Sequence, residues 1–250
     1  MKKLIKIISL FVFAALMAKA TCAPAGKKFA KPREALIIED HVYYHNMSIT
    51  YGANRYYTVN GGNESWGLLN QYDRNGNSVA SHDLALDGRA IFYNPDDEQL
   101  YVKIYGTDLY TVDPEGDDAE AKLEGIFEAD NSSPAFSPDG KYIYEFINGQ
   151  VRVLNFKDGE EIRSFTVDDY YDEHGFNTAI AASDAYLFIW AADDAIHVYN
   201  LKGKYVGRIE LPRAGYGFSL SYCHGYLWIA QDADGAQDGA DGEWYGYELM

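Results

Sequence analysis

The amino-acid sequence predicts an all-β protein, a single β-propeller of five four-stranded blades. The first observation is a repeated hairpin, in which an alternating apolar strand leads into a short turn that ends in glycine. The turn glycines lie 40, 43 and 44 residues apart, at Gly76, Gly116, Gly159 and Gly203. A repeat of about 40–45 residues built only of strands is typical of propeller blades.

The second observation is another series of turns that lies between the members of the first. Its marker residues follow one another after 43, 43, 44 and 41 residues, at Asn54, Asp97, Gly140, Asp184 and Gly225. Gly, Asn and Asp suit such turns because they tolerate positive φ or bond their own backbone. Two interleaved turn series with one period indicate four strands per unit, named a to d with strand a innermost.

The repeat assigns most of the chain to blades. The predicted blades span residues 46–83, 88–128, 132–167, 177–212 and 216–250. The last blade has no fourth strand, whereas EALIIED (34–40) is an apolar strand outside the first blade. We therefore expect residues 34–40 to form strand d of the last blade, which closes the ring and covers a sheet edge. A six-bladed ring is the alternative.

The N-terminal segment has the pattern of an export signal. Residues 1–20 contain a basic start, an apolar run too short to span a bilayer, and Ala18-Lys19-Ala20 as a cleavage pattern. We expect a signal peptide over 1–20, a flexible leader over 21–33 and the propeller domain over 34–250. The expected location is periplasmic or secreted, with a lipoprotein anchored through Cys22 as the alternative.

Composition limits the classes of partner. The 38 acidic and 21 basic residues give a net charge of −17. This charge argues against nucleic acid and anionic membrane surfaces as partners, since both require basic patches. Two cysteines, Cys22 and Cys223, exclude a disulfide framework and a cysteine zinc site. We expect a monomer with a protein or glycan partner.

Two segments resemble known propeller blades. The run at 134–165 contains FSPDGKYIY (136–144) and resembles blades of TolB-type and WD-repeat-like propellers, and HVYNLKGKYVGRIELP (197–212) is similar to blades of NHL-like secreted propellers. The resemblance implies the architecture and no particular activity. Alternating Tyr142, Tyr144 and Phe146 are expected to pack between neighbouring blades. Core packing of this kind is the expected role of most of the 22 tyrosines.

Three long connections indicate a binding face. NGGNESW (60–66) and QDADGAQDGADGE (231–243) are b–c turns longer than the fold requires, and they become neighbours on ring closure. TVDDYYDEHGFN (166–177) is a long d–a crossover at the same end of the ring. Overlong loops tend to be functional. The candidate binding residues are Asn63, Glu64, Trp66, Asp168, Asp169, Tyr170, Tyr171, Asp172, Glu173 and His174.

The acidic loop also suggests a metal. Asp232, Asp234, Asp238 and Asp241 could wrap calcium, which takes six to eight oxygen ligands, although their spacing departs from the EF-hand. The alternative is a like-charged loop that stays extended in solvent.

The sequence contains none of the common catalytic strings, such as G-x-S-x-G or H-E-x-x-H, so no catalytic residue is predicted. We expect a non-catalytic module that binds a protein or a glycan. The alternative is a calcium-dependent hydrolase or lactonase, which requires acidic side chains from several blades to converge on the channel. The predicted inner strands carry no carboxylates, which disfavours a glycosidase.

Overall fold

The computed structural model confirms the predicted fold. It describes residues 27–29, 31–41, 44–62, 67–116, 118–168, 170, 178–191, 195–231 and 241–249. Five antiparallel sheets form a ring of five blades, with the first strand of each blade innermost. Across the described residues no helix is long and apolar enough to cross a membrane.

The strands follow the predicted a-to-d order. The two strands nearest the N terminus are β1 (Lys27–Lys28) and β2 (Arg33–His41). Blade 1 consists of β3 (His45–Gly52), β4 (Arg55–Gly61), β5 (Gly67–Tyr72) and β6 (Ser78–Leu84). Blade 2 consists of β7 (Gly88–Asn94), β8 (Gln99–Ile104), β9 (Leu109–Val112) and β10 (Ala119–Leu123). Blade 3 consists of β11 (Ala135–Phe136), β12 (Tyr142–Ile147), β13 (Gln150–Asn155) and β14 (Glu161–Thr166).

The remaining blades include the two N-terminal strands. Blade 4 consists of β15 (Ile180–Ala182), β16 (Tyr186–Trp190), β17 (Ile196–Asn200), β18 (Tyr205–Ile209) and β1. Strand β1 lies inside the predicted leader and pairs in parallel with β18, Lys27 opposite Gly207. Blade 5 consists of β19 (Ser221–Cys223), β20 (Tyr226–Gln231), β21 (Asp241–Glu248) and β2.

The ring closes where the sequence predicts. Strand β2 pairs antiparallel with β21, from Arg33 opposite Glu248 to His41 opposite Asp241. The predicted strand 34–40 is therefore extended by one residue at each end. Arg33 Nη2 and Glu248 Oε2 form an ion pair of 2.5 Å at the exposed end of this pairing. The N-terminal strand thus covers the sheet edge that blade 5 would otherwise leave open.

The hydrophobic core is divided into five clusters, one between each pair of neighbouring blades. The cluster at the closure contains Ile38, Tyr72, Trp228 and Trp244, all of them buried. In blade 3, Tyr144 and Phe146 are buried as predicted, but Tyr142 is 39% exposed. Tyr142 is the first residue of β12.

One carboxylate ties the closure together. Asp40 on β2 is fully buried and accepts five side-chain hydrogen bonds. Four donors lie in blade 1 and one in blade 5, and the donor–acceptor distances are 2.8 Å for Asn46 Nδ2, 2.9 Å for Thr58 Oγ1, 2.7 Å for Asn70 Nδ2, 2.5 Å for Tyr72 Oη and 2.7 Å for Trp244 Nε1. A buried carboxylate requires such partners, and these join the first blade to the last.

Two further buried charges hold the crossover between blades 2 and 3. Glu145 on β12 accepts the backbone N–H groups of Glu128 and Ala129 at 3.0 and 3.1 Å. Arg152 Nη1 donates to the same carboxylate at 2.5 Å. Lys103 on β8 donates from Nζ to the carbonyl oxygens of Ala129 at 3.2 Å and Asp130 at 2.6 Å. Side chains from both of the blades that it connects therefore hold the crossover in place through hydrogen bonds to its backbone.

Candidate functional site

The inner strands run between two ends of the ring that differ in their connections. The d–a connections and b–c turns lie at one end, the d–a face, and the a–b and c–d turns lie at the other, the a–b face. Strand β3 runs from His45 at the d–a face to Gly52 at the a–b face. Each face carries a cavity.

The central cavity opens at the a–b face and has a volume of about 530 Å³. All five inner strands contribute to it, together with residues of the a–b turns such as Pro95, Pro138 and Asp184. Its size falls within the range of roughly 300–1,000 Å³ that is usual for small-molecule sites.

The hairpin registers place an aromatic residue at the same position in four blades. Tyr51, Tyr93 and Tyr222 each precede the last paired residue of their inner strand, and Phe136 occupies the corresponding place in blade 3. All four line the cavity next to the a–b turns. We call these four residues the aromatic collar. Blade 4 has Ala182 at this position, which leaves a gap in the collar.

The collar rings are held by their neighbours. The ring of Tyr51 stacks on His224 at 3.8 Å between centroids, Phe136 stacks on Phe92 at 4.5 Å, and Tyr222 stacks on Phe188 at 5.6 Å. Tyr93 lies directly over Gly52, where a Cβ atom would come within 1.9 Å of its ring. Glycine at this position therefore lets the Tyr93 ring approach the backbone of blade 1.

Hydroxyl groups lie deeper in the cavity. Ser48 Oγ and Ser221 Oγ are 3.3 Å apart, and the N–H of Ile49 donates to Ser221 Oγ at 3.3 Å. The N–H of Tyr93 donates to Thr50 Oγ1 at 3.1 Å. These bonds link the inner strands of neighbouring blades.

Ser133 differs from the other hydroxyl residues of the cavity. It lines the cavity and is 3% exposed, and its Oγ has no hydrogen-bond partner among the residues that the structure describes. Its backbone is fixed, since its N–H donates to Thr178 O at 3.3 Å and its carbonyl accepts from Ile180 N at 3.2 Å. A buried polar group left unpaired requires an explanation, and a ligand is one.

Burial disfavours the charged forms of four titratable groups in the lining. Burial raises the pKa of Tyr93, with smaller contributions from Glu98 and Asp97. Burial also raises the pKa of Tyr222 and of the Cys223 thiol, and it lowers the pKa of His224. Each shift disfavours the charged form of its group.

The cavity at the d–a face has a similar volume, about 530 Å³, and a different chemistry. Arg89 Nη2 donates to Asp87 Oδ2 at 2.8 Å, and its guanidinium lies 5.0 Å from the centroid of Tyr105. His45 stacks on Tyr216 at 4.8 Å. Arg89 Nε has no partner within the described chain. This cavity borders Gly62, at the start of one predicted binding loop.

Most of the predicted site residues fall on segments that the structure does not describe. Asp168 is exposed, and its N–H donates to Gly203 O at 3.0 Å. Tyr170 is half-buried and packs edge-on against Phe146 at 4.9 Å. The backbone of Asp241 belongs to β21. The predicted residues outside the described part of the chain are Asn63, Glu64, Trp66, Asp169, Tyr171, Asp172, Glu173, His174, Asp232, Asp234 and Asp238.

The predicted acidic loop is shorter than its sequence pattern indicates. Residues 241–243 pair with β2, so the b–c connection of blade 5 ends at residue 240. No group of three or more His, Cys, Asp or Glu that could hold a metal occurs among the described residues. The calcium prediction rests on residues that lie mostly outside this part.

The sequence reasoning missed the aromatic collar. The inner strands contain Ile49-Thr50-Tyr51, Ile91-Phe92-Tyr93, Pro134-Ala135-Phe136, Ile180-Ala181-Ala182 and Leu220-Ser221-Tyr222. Aligned from the turns, these triplets place an aromatic residue third in four blades. This alignment is a signal that the sequence contains, although the same four residues also pack against the clusters between blades.

Comparisons with known proteins concern the fold. No protein-family model matches the chain, and no curated protein matches it. Among solved structures, a protein of unknown function from Bacteroides caccae is similar over 66% of each chain, with 13% identity and a TM-score of 0.43. BamB from Moraxella catarrhalis is similar over 80% of this chain and 59% of BamB, with 15% identity and a TM-score of 0.39. This chain therefore spans less than two thirds of the length of either.

Proposed function

We propose that this protein is an exported, non-catalytic β-propeller that binds a ligand in its central cavity. The main observation behind this proposal is the aromatic collar. Four blades supply an aromatic side chain at the same position around a cavity of about 530 Å³. Export is inferred from the signal pattern at 1–20. The ligand belongs to the predicted class of protein or glycan.

A site of this shape suits a compact ligand. Stable interfaces between two folded proteins bury about 1,200–2,000 Å², which is far more than the lining of one cavity of about 530 Å³ offers. A glycan terminus or a single protruding peptide segment fits better, since either can enter the cavity. Aromatic side chains with a few placed polar groups are the usual lining of such sites.

The long loops at 60–66, 166–177 and 231–240 remain a proposed second binding location at the d–a face. The same acidic segments motivate the alternative function, a calcium-dependent hydrolase or lactonase. That alternative predicts ester or lactone turnover by the purified protein that chelator abolishes. Turnover of this kind would replace the non-catalytic proposal.

The proposal can be tested with matched tyrosine variants. Full-length mature protein is applied to a glycan array and to a library of short peptides. The affinities of the glycans or peptides that bind are then measured in solution. Tyr93→Ala removes one collar ring, whereas Tyr105→Ala removes a 53% exposed tyrosine at the d–a face. We expect at least a tenfold loss of affinity for Tyr93→Ala and less than a twofold change for Tyr105→Ala. The reverse order would place the site at the d–a face and contradict the proposal.

A further inference from the structure

The lining of the central cavity is almost free of charge. Of its described residues, Asp184 is the one carboxylate, and no lysine or arginine is present. Burial shifts the pKa values of Tyr93, Tyr222, Cys223 and His224 so that each is held in its neutral form. This neutrality contrasts with the net charge of −17 of the whole chain.

The cavity is also arranged in layers. The collar lies next to the turns, and an apolar layer lies two residues earlier along the chain in each blade, formed by Ile49, Ile91, Pro134, Ile180 and Leu220. Hydroxyl-bearing Thr50, Ser221, Ser48 and Ser133 are interleaved with these layers. A ligand in this space meets aromatic and aliphatic surface together with hydroxyl groups.

The hydroxyls are not equivalent. Thr50 and Ser221 each accept a backbone N–H, and Ser48 lies within hydrogen-bond distance of Ser221. Ser133 Oγ alone among these four has no partner in the described part of the chain. Blade 4 fixes the backbone of Ser133, and the Ser133 side chain is buried in the cavity lining.

We propose that the cavity binds the terminal unit of an uncharged saccharide, with the sugar ring against the aromatic collar and one sugar hydroxyl hydrogen-bonded to Ser133 Oγ. This inference rests on the proposed function, since it names the ligand class of the same site. A sugar ring presents an apolar C–H face and a polar hydroxyl edge, which match the collar and the serine. Ser133 then determines specificity, because a buried hydroxyl discriminates against ligands that leave it unpaired.

Charged ligands match the cavity less well. An anion would find no cationic side chain among the described lining residues. A cation could contact the faces of aromatic rings, yet Asp184 is exposed at the rim and the inner hydroxyls would remain unused. Desolvating a charge without a buried partner is costly, so a neutral ligand is favoured.

The test compares neutral and charged probes by calorimetry on the full mature chain. The neutral set consists of glucose, galactose, mannose and N-acetylglucosamine with their disaccharides, and the charged set consists of glucuronic acid and glucosamine. Tetramethylammonium and a Gly-Phe-Gly peptide complete the panel. We expect a neutral sugar to bind, and its charged counterpart to bind at least tenfold more weakly.

Two serine variants locate the contact. Ser133→Ala should weaken binding of the retained sugar about five- to tenfold, while the melting temperature stays unchanged or rises, since the variant removes an unpaired hydroxyl. Ser221→Ala should lower the melting temperature, because Ser221 accepts the N–H of Ile49. If Ser133→Ala binds the sugar as tightly as the wild type does, the proposed role of Ser133 is wrong.

The outcomes separate this inference from the proposed function. One outcome is that the peptide or tetramethylammonium binds, that no sugar binds, and that Tyr93→Ala abolishes the binding of the peptide or tetramethylammonium. The cavity is then a binding site, and the saccharide inference is wrong. If sugars bind equally well to wild type and Tyr93→Ala, the ligand lies elsewhere and both proposals fail. Neutral-sugar binding that depends on Tyr93 and Ser133 supports both.

Discussion

Asp40→Asn is expected to loosen the ring at its closure. Asp40 accepts five hydrogen bonds, three at Oδ1 and two at Oδ2. An asparagine of the same shape keeps one acceptor oxygen and places an amino group where the other oxygen lies. With the amino group in the place of Oδ2, Asn46 Nδ2 and Trp244 Nε1 both lose the oxygen that accepts their hydrogen bonds.

The cost follows from the burial of these donors. Each buried donor without an acceptor costs about 1–3 kcal/mol, so two cost about 2–6 kcal/mol. Removing a charge from the interior offsets part of this, because a buried carboxylate has a desolvation penalty of its own. The net loss of unfolding free energy should be about 2–4 kcal/mol. For a domain of this size, that loss lowers the melting temperature by about 5–15 °C.

The assay is urea unfolding of wild type, Asp40→Asn and a control, Asp73→Asn. Asp73 also accepts several hydrogen bonds, but it lies in the exposed c–d turn of blade 1. The control should therefore lose about 1 kcal/mol or less. In addition, amide exchange of β2 should accelerate in Asp40→Asn, while β12 and β13 keep their protection. Equal stability of the two variants would refute the reasoning.

Three further predictions test other parts of the account. Deleting residues 21–40 should destabilise the protein far more than deleting 21–32, because only the longer deletion removes β2, and equal melting temperatures would contradict this. Burial lowers the pKa of Lys103 from 10.5 to about 7. Between these two pH values the unfolded chain binds a proton at Lys103 that the folded chain lacks. The unfolding free energy should therefore rise by up to about 1.4 kcal/mol per pH unit between pH 7 and 9.5. Lys103→Met should remove this rise and Lys122→Met, on the exposed strand β10, should keep it, as urea titrations at several pH values can show. Replacing residues 232–240 by an Asn-Gly turn should leave the melting temperature nearly unchanged and abolish any calcium dependence of melting, and a calcium response that survives would place the metal elsewhere.

The sequence predicts the ring because turn chemistry is local. Gly76 and Gly116 adopt φ values of 83° and 79°, so the residues that marked the repeat are those the backbone requires. In blade 2 the positive φ falls on Glu98, one residue after the marker Asp97. Closure could be inferred as well, since an apolar strand outside the repeat has few other places to pair.

The candidate site could not be read from local patterns in the same way. Loop length suggested the d–a face, whereas the central cavity depends on which inner-strand side chains remain uncovered after five blades meet. Tyr51 and Tyr56 are both tyrosines of one hairpin, yet Tyr56 is fully buried and Tyr51 lines the cavity. Likewise, the backbone of Ser133 pairs with Ala179 of blade 4, a contact that the sequence of blade 3 does not specify.

The location of a bound ligand tests the central claim most directly. Crystals of the full mature chain, grown with the best-retained neutral saccharide, would show where it binds. We expect density in the central cavity at the a–b face, in contact with Tyr51, Tyr93 and Tyr222 and within hydrogen-bond distance of Ser133 Oγ. Density at the d–a face beside Tyr105, with an empty central cavity, would contradict it.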